Sequence, residues 1–306
     1  MNPITGLLAA LGALTAVFIA GWAAAVKRAV QAPGGNSDAT DTRFPNAIQV
    51  ALGFFTNFFD SLGIGSFATT TAFFRLRKMV PDRIIPGTLN VGHTLPTVVQ
   101  AFIFTTIIPV DVLTLFLMIA AAVLGAWLGA GIVCGWSKRK VQIGMGVALL
   151  TAATFMLMRQ LSLFPPGSEE IGVRGVKLVL ATGGNFVLGA LMTLGIGLYA
   201  PCMILVSLLG MSERTAFPVM MGSCAFLMPV GSLRFIREQA YSLRNALGLA
   251  IGGVAGSYVA AKFFESLNIR TVRWLVIVVV LYTAITMLVS ASTERTESGS
   301  GGSRTS

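Results

Sequence analysis

Long apolar runs separated by short polar and basic clusters set the pattern of this chain. Uninterrupted runs fall at residues 4–26, 84–108, 112–134, 141–157, 215–232, 243–261 and 272–290. Each approaches the roughly 20 residues that a helix needs to cross a bilayer. Two further apolar stretches, 45–76 and 176–209, are broken near their middles by glycine-rich segments. At about 32 residues the first is long for one crossing and short for two. The predicted class is therefore all-α, a polytopic membrane protein with room for about seven to nine crossings.

The chain repeats itself. Ser61-Leu62-Gly63-Ile64-Gly65-Ser66-Phe67-Ala68 aligns with Thr193-Leu194-Gly195-Ile196-Gly197-Leu198-Tyr199-Ala200, and the same register carries Pro86 onto Pro218. A slip of one residue adds Asp82-Arg83 on Glu213-Arg214, Val123 and Gly125 on Val254 and Gly256, and Val141 on Val272. An ordered series of anchors at nearly constant spacing points to duplication. Residues 1–30 read as an N-terminal transmembrane helix, 31–44 as a linker and 45–158 as the first repeat. An inter-repeat loop follows at 159–173, the second repeat at 174–290 and a disordered tail at 291–306. The run at 4–26 has no basic residue before it and Lys27 and Arg28 just after it, the reverse of a secretory signal.

Composition agrees: 55% of residues are hydrophobic, 11% are charged, and mean hydropathy is +0.80. The formal charge of +10 does not indicate nucleic acid, because the basic residues lie in clusters between apolar runs, as the positive-inside rule expects. Charge also discriminates between topologies. If each broken stretch crosses once, the halves are parallel and the 22 basic residues divide 11 and 11. If each enters, breaks and returns, the halves are inverted and 15 of the 22 fall inside, including the Arg75–Arg83 and Lys138–Lys140 clusters. The inverted, re-entrant arrangement is expected, in a multi-pass protein of the cell inner (plasma) membrane.

Non-helical backbone at membrane depth must be enclosed by protein or line a cavity, so two breaks imply an enclosed site. Ser66 is a candidate cap for the returning helix of the first half, and Pro201 suits the first turn of its counterpart. Both helix N-termini would present unpaired N–H groups and partial positive charge, a setting for an anion. Gly63, Gly65, Gly195 and Gly197 would allow close approach of the backbone. Asn57, Asp60 and Ser61 share one helical face before the first break, and Thr193 precedes the second. Asn90 with His93 in the next span, and Ser223 at a similar place in the second half, complete the substrate-binding candidates.

Asp60 and His93 are the candidates for proton coupling, since intramembrane ionisable groups are costly and histidine titrates near neutrality. Alternative readings are a protonated acid or helix cap for Asp60, and a neutral histidine bonded between helices. Asp111, at a span boundary after Pro109, is expected only to cap the next helix. Cys134, Cys202 and Cys224 have no metal-ligand spacing, and no cofactor motif is present. An enzyme is not expected, because a hydrolase would need a nucleophile with a base or paired aspartates. The stripes Gly248, Gly252, Gly256, Ala260 and Ala121, Gly125, Gly129 are packing faces, within the chain or in a possible homodimer. Trp127, Trp136 and Trp274 would anchor at membrane interfaces.

The duplicated glycine segment, the Pro81-Asp82-Arg83 turn leading into a span with Asn90, and the two-half layout resemble the TauE/SafE sulfite exporter family over about residues 46–290. Where that family carries a longer glycine run with a proline, this chain has Gly63-Ile64-Gly65-Ser66 followed by Thr69-Thr70-Thr71. Where it often has Asn or Lys in the second half, this chain has Gly222-Ser223-Cys224. The resemblance implies transport of sulfite, sulfonates or related organic anions. The expected function is a secondary transporter of such a small anion by alternating access between the breaks. A channel-like permease for a neutral solute and a non-transporting membrane scaffold are the alternatives.

Overall fold

The computed structural model describes residues 3–31, 44–133, 135–163, 169–193, 198–212, 214–263, 274, 277–278, 280–289 and 291–292. Gly195, Gly197, Cys134 and nearly all of the linker and tail expected at 31–44 and 291–306 lie outside them. The described residues form helices α1 (Pro3–Gln31), α2 (Ala47–Ser61), α3 (Ser66–Leu76), α4 (Ile85–Ile107), α5 (Val112–Val133) and α6 (Lys138–Gln160). They continue as α7 (Gly175–Met192), α8 (Tyr199–Leu208), α9 (Ala216–Arg237), α10 (Leu243–Phe263) and α11 (Val280–Val289). Among the described residues there is no named strand, and six helices are long and apolar enough to cross a membrane: α1, α5, α6, α7, α9 and α10. At 23 residues α4 is long enough to cross as well, but it carries Asn90, His93, Gln100 and several threonines.

Local chemistry sets the helix ends. Asn46 and Gln49 form a reciprocal capping box that starts α2. The helix ends where Gly63 turns to φ +86°, so that the Ile64 and Gly63 N–H groups reach the Phe59 and Asp60 carbonyls at 3.0 and 2.9 Å. Pro86 occupies the first turn of α4, and Asp111 starts α5 by accepting from the Thr114 N–H at 2.8 Å. Asp111 is the cap expected of it.

Central helices α4 and α9 pack on each other; α10 lies against α2 and α4, and α5 against α7 and α9. Exchanging the two halves maps this pattern onto itself. The closest approaches follow the same exchange. A Cβ on Gly256 would lie 2.1 Å from the Phe54 carbonyl oxygen, and one on Gly125 would lie 2.0 Å from that of Phe186. Both small-residue stripes are thus filled by helices of the same chain. Trp127 and Trp274 are exposed, whereas Trp136 packs against the core. Helix α1 leans on α9 and α4 through Phe18 and Trp22 and exposes most of its remaining surface.

The ends of α4, about 35 Å apart, gather different partners. Near its start, Thr88 Oγ1 accepts from the Ser242 N–H at 2.8 Å, and Gln49 Nε2 donates to Asn245 Oδ1 at 3.1 Å. Arg244 Nε reaches the Phe44 carbonyl at 3.2 Å, and Arg75 at the end of α3 pairs with Asp82. The start of α2 and the end of α3 therefore lie at the same end of α4. Beyond its far end, Asp111 N–H donates to the Ile171 carbonyl at 2.9 Å and Arg174 grips the Asp111 carboxylate at 2.7 Å. The Ser212 N–H donates to the Glu170 carbonyl at 2.8 Å, which places the end of α8 beside the start of α7.

Candidate functional site

Near the tip of α2 and the start of α3, polar side chains from five helices form two buried hydrogen-bonded chains. In one, Asn57 Nδ2 donates to the Gly53 carbonyl of its own helix at 2.8 Å, leaving Oδ1 to accept from His93 Nδ1 at 3.1 Å. The opposite ring nitrogen, His93 Nε2, lies 3.0 Å from Thr70 Oγ1, whose hydroxyl donates to it in a neutral imidazole. Phe67 covers the ring at 5.6 Å between centroids. His93 thus ties α2, α3 and α4 together with both nitrogens engaged.

The second chain runs from one helix break to the other. The Ser66 N–H, first in α3, donates to Asp60 Oδ1 at 2.5 Å, and Gln100 Nε2 donates to Asp60 Oδ2 at 3.0 Å. Gln100 Nε2 also reaches Ser257 Oγ on α10 at 3.1 Å. Gln100 Oε1 accepts from the hydroxyl of Tyr199, the first residue of α8, at 2.5 Å. Asp60, Gln100 and Ser257 are no more than 1% exposed, and Tyr199 is 5% exposed.

This geometry changes the assignment of the first helix end. Gly65 is the residue before α3, with no side chain to cap it, and Ser66 is the first helical residue. The carboxylate of Asp60, from the preceding helix, fills the cap position instead. Gly65 itself has φ −46°, and a Cβ there would meet no atom within 4 Å. Gly63 is required by its positive φ. Ser61 Oγ donates back to the Asn57 carbonyl at 2.9 Å.

The other candidates lie apart from these chains. Asn90 Nδ2 donates to the Pro86 carbonyl at 2.8 Å, while its Oδ1 is buried without a partner. Thr193 Oγ1 donates to the Ala190 carbonyl at 2.7 Å and faces Gly129 of α5. Ser223 accepts from Asn185 Nδ2 at 2.8 Å, and that amide also donates to the Met118 carbonyl at 2.7 Å. Gln100, Tyr199, Thr70 and Ser257 were not foreseen. Gln100 carried a signal: it lies seven residues after His93, two turns along the same helical face. Tyr199 carried another, since a hydroxyl there aligns with Phe67 in the first half.

Six long apolar helices together with a polar, largely buried α4 define a multi-pass membrane protein with an enclosed polar interior. Residues 51–287 match the sequence profile of the sulfite exporter TauE/SafE family, and the chain belongs to that family. Its members are transporters of the cell membrane, not enzymes. No curated protein and no solved structure matches the chain.

Proposed function

We propose that the chain is a secondary transporter of a small anion of the sulfite or organosulfonate class, working by alternating access where the two helix breaks meet. The observation that carries this reading is the chain from the Ser66 N–H through Asp60 and Gln100 to Tyr199. It links the start of α3 to the start of α8 inside a membrane protein. Two inverted repeats with re-entrant hairpins, α2–α3 and α7–α8, account for why each hairpin begins and ends at one end of α4, at opposite ends for the two repeats. The end with Arg75, Arg77, Lys78 and Arg83 faces the cytoplasm by the positive-inside rule.

An anion is favoured because the start of α3 already accepts one, the carboxylate of Asp60. A second anion in the same enclosure is repelled by that carboxylate, so anion entry is linked to a proton on Asp60. His93, with both nitrogens engaged, is the interhelical tie, and Asp60 is the coupling group. Gly65 leaves open space beside the α3 terminus. Gly65→Leu should fill it without disturbing the backbone, since φ −46° suits any residue. In proteoliposomes the wild type should move sulfite or methanesulfonate and not glycerol. Gly65→Leu should lower that flux about tenfold or more, the scale of a misplaced or blocked ligand, at unchanged melting temperature. Wild-type flux in this variant would remove the site from the first break.

A further inference from the structure

Gln100 is the joint of the buried chain, and its amide can lie either of two ways. As found, Oε1 accepts from Tyr199 and Nε2 donates to Asp60 Oδ2, to Ser257 Oγ and, at 3.5 Å, to the Asn57 carbonyl. This arrangement needs an acceptor at Asp60 Oδ2. A proton on that oxygen turns it into a donor and sets O–H against N–H.

Turning the amide over removes the conflict. Oε1 then accepts from the Asp60 acid and from Ser257, whose hydroxyl can donate as readily as accept, and Nε2 donates to the Tyr199 oxygen. Asp60 Oδ1 keeps the Ser66 N–H throughout. The Tyr199 oxygen has become an acceptor, and its hydrogen is released. The Asn57 carbonyl can only accept; as the longest contact, it biases the amide weakly toward the arrangement found, so the proton decides.

We propose that Gln100 is an amide switch carrying protonation of Asp60 at the first break to Tyr199 at the second, where the freed hydroxyl donates to the transported anion. Gln100 and Tyr199 are positioning residues in this scheme, and it rests on the anion-transport reading. The titratable groups facing Asp60 are Tyr199 on α8, whose hydroxyl also interacts directly with the carboxylate, His93 on α4, through Asn57, and Cys224 on α9, with Cys202 of α8 beside Cys224. Helices α3 and α10 present Ser66 and Ser257. Among the described residues no cation pairs with Asp60.

The test uses the full chain in nanodiscs with methanesulfonate, whose charge is constant from pH 5 to 8, and calorimetry as readout. Wild-type affinity should strengthen as pH falls. Asp60→Asn keeps an acceptor for Ser66 and holds an N–H toward Gln100, which fixes the turned amide. It should bind at every pH with the acid affinity of the wild type. Tyr199→Phe, which places the residue found at the matching position 67, should bind about ten- to a hundredfold more weakly at acid pH, the loss of one hydrogen bond to a charged group. A wild-type pH profile in either variant overturns the proposal.

Infrared difference spectra between acid and neutral protein without ligand separate the switch from the substrate. Protonating Asp60 should shift the tyrosine C–O band, and Gln100→Leu should remove most of that shift, leaving the small part of the direct contact, while the carboxylic acid band remains. A tyrosine shift that persists in full in Gln100→Leu sinks the switch whatever the anion. Should the shift behave as stated while no sulfonate, sulfite or carboxylate binds, the switch stands and the anion reading falls.

Discussion

Before the first break stand Asn57, Asp60 and Ser61; the register that aligns Gly63 with Gly195 places Gly189, Met192 and Thr193 before the second. Asn57 meets His93 and Asp60 caps α3. Gly189 instead admits α5, where a Cβ would lie 2.2 Å from the Ala122 carbonyl oxygen, and Met192 Sδ lies 3.5 Å from Cys224 Sγ. The same helix crossing thus carries titratable chemistry in one half and close apolar and sulfur packing in the other. The second half adds two hydroxyls to the shared network, those of Tyr199 and Ser257. Duplicated backbones let one copy specialise: the scaffold stays symmetric while only one copy bears the cost of a buried carboxylate.

The scaffold part of this comparison is the most sensitive to mutation. Gly125→Val and Gly256→Val each drive a side chain into a carbonyl of the facing helix, Phe186 or Phe54. Each should destabilise by at least about 3 kcal/mol, the upper end of ordinary overpacking, because backbone cannot yield as a side chain does. Thermal unfolding of purified protein checks it. A large loss in one variant and none in the other would mean that the two crossings are not equivalent.

The chemical part yields the next effect. Asn57→Gly gives the first half the residue of the second and strips His93 Nδ1 of its partner in a site that is 0% exposed. A buried polar group left unpaired costs about 1–3 kcal/mol. The same measurement applies, with full stability as the refuting result. Within the first break, Gly63→Ala forces φ +86° on a residue with a Cβ and should cost about 1–2 kcal/mol. Gly65→Ala should cost nothing measurable. Equal losses at the two glycines would mean that the turn is not formed as described.

Much of this arrangement was readable from residue order, and the reason is periodicity. The apolar runs gave the helices from α4 to α10 within a few residues at most ends, because an unbroken run has few other ways to satisfy backbone in lipid. The largest miss, the end of α9 at Arg237 rather than near 232, arose because the basic residues Arg234 and Arg237 extend the helix past its apolar run. Asp60 and His93 stood out as ionisable groups inside apolar stretches. Their partners did not. Gln100 and Ser257 are neutral residues of the kind scattered through any polar-tolerant span, and only the crossing of α4 with α2 and α10 brings them to Asp60. The role of Ser66 was misread because a serine before a helix looks like its cap, whereas Ser66 is the first helical residue and its own N–H is taken by a carboxylate six residues earlier once Gly63 reverses the chain.

The smallest expected effect concerns the two ends of α4, each of which has an ion pair among the described residues. Arg75 and Asp82 are both 15% exposed and are joined there by Gln142, whereas Arg174 is 61% exposed against 22% for Asp111. Asp111 is held below the usual carboxylate range chiefly by the hydrogen bonds from Arg174, which outweigh the opposing effect of burial, with the Thr114 N–H and hydroxyl adding to the lowering. A carboxyl group depressed in the folded state contributes stability above its unfolded value, near 4, and loses it as pH falls through that value toward the folded one. Asp111→Asn should therefore lower the melting temperature slightly at neutral pH. The difference should shrink below about pH 4 and in high salt, because water and ions screen so exposed a pair. If the deficit instead persisted at low pH and high salt, the contribution of Asp111 would be its uncharged geometry at the start of α5. The clasp to Arg174 would then do nothing to hold α7 in place.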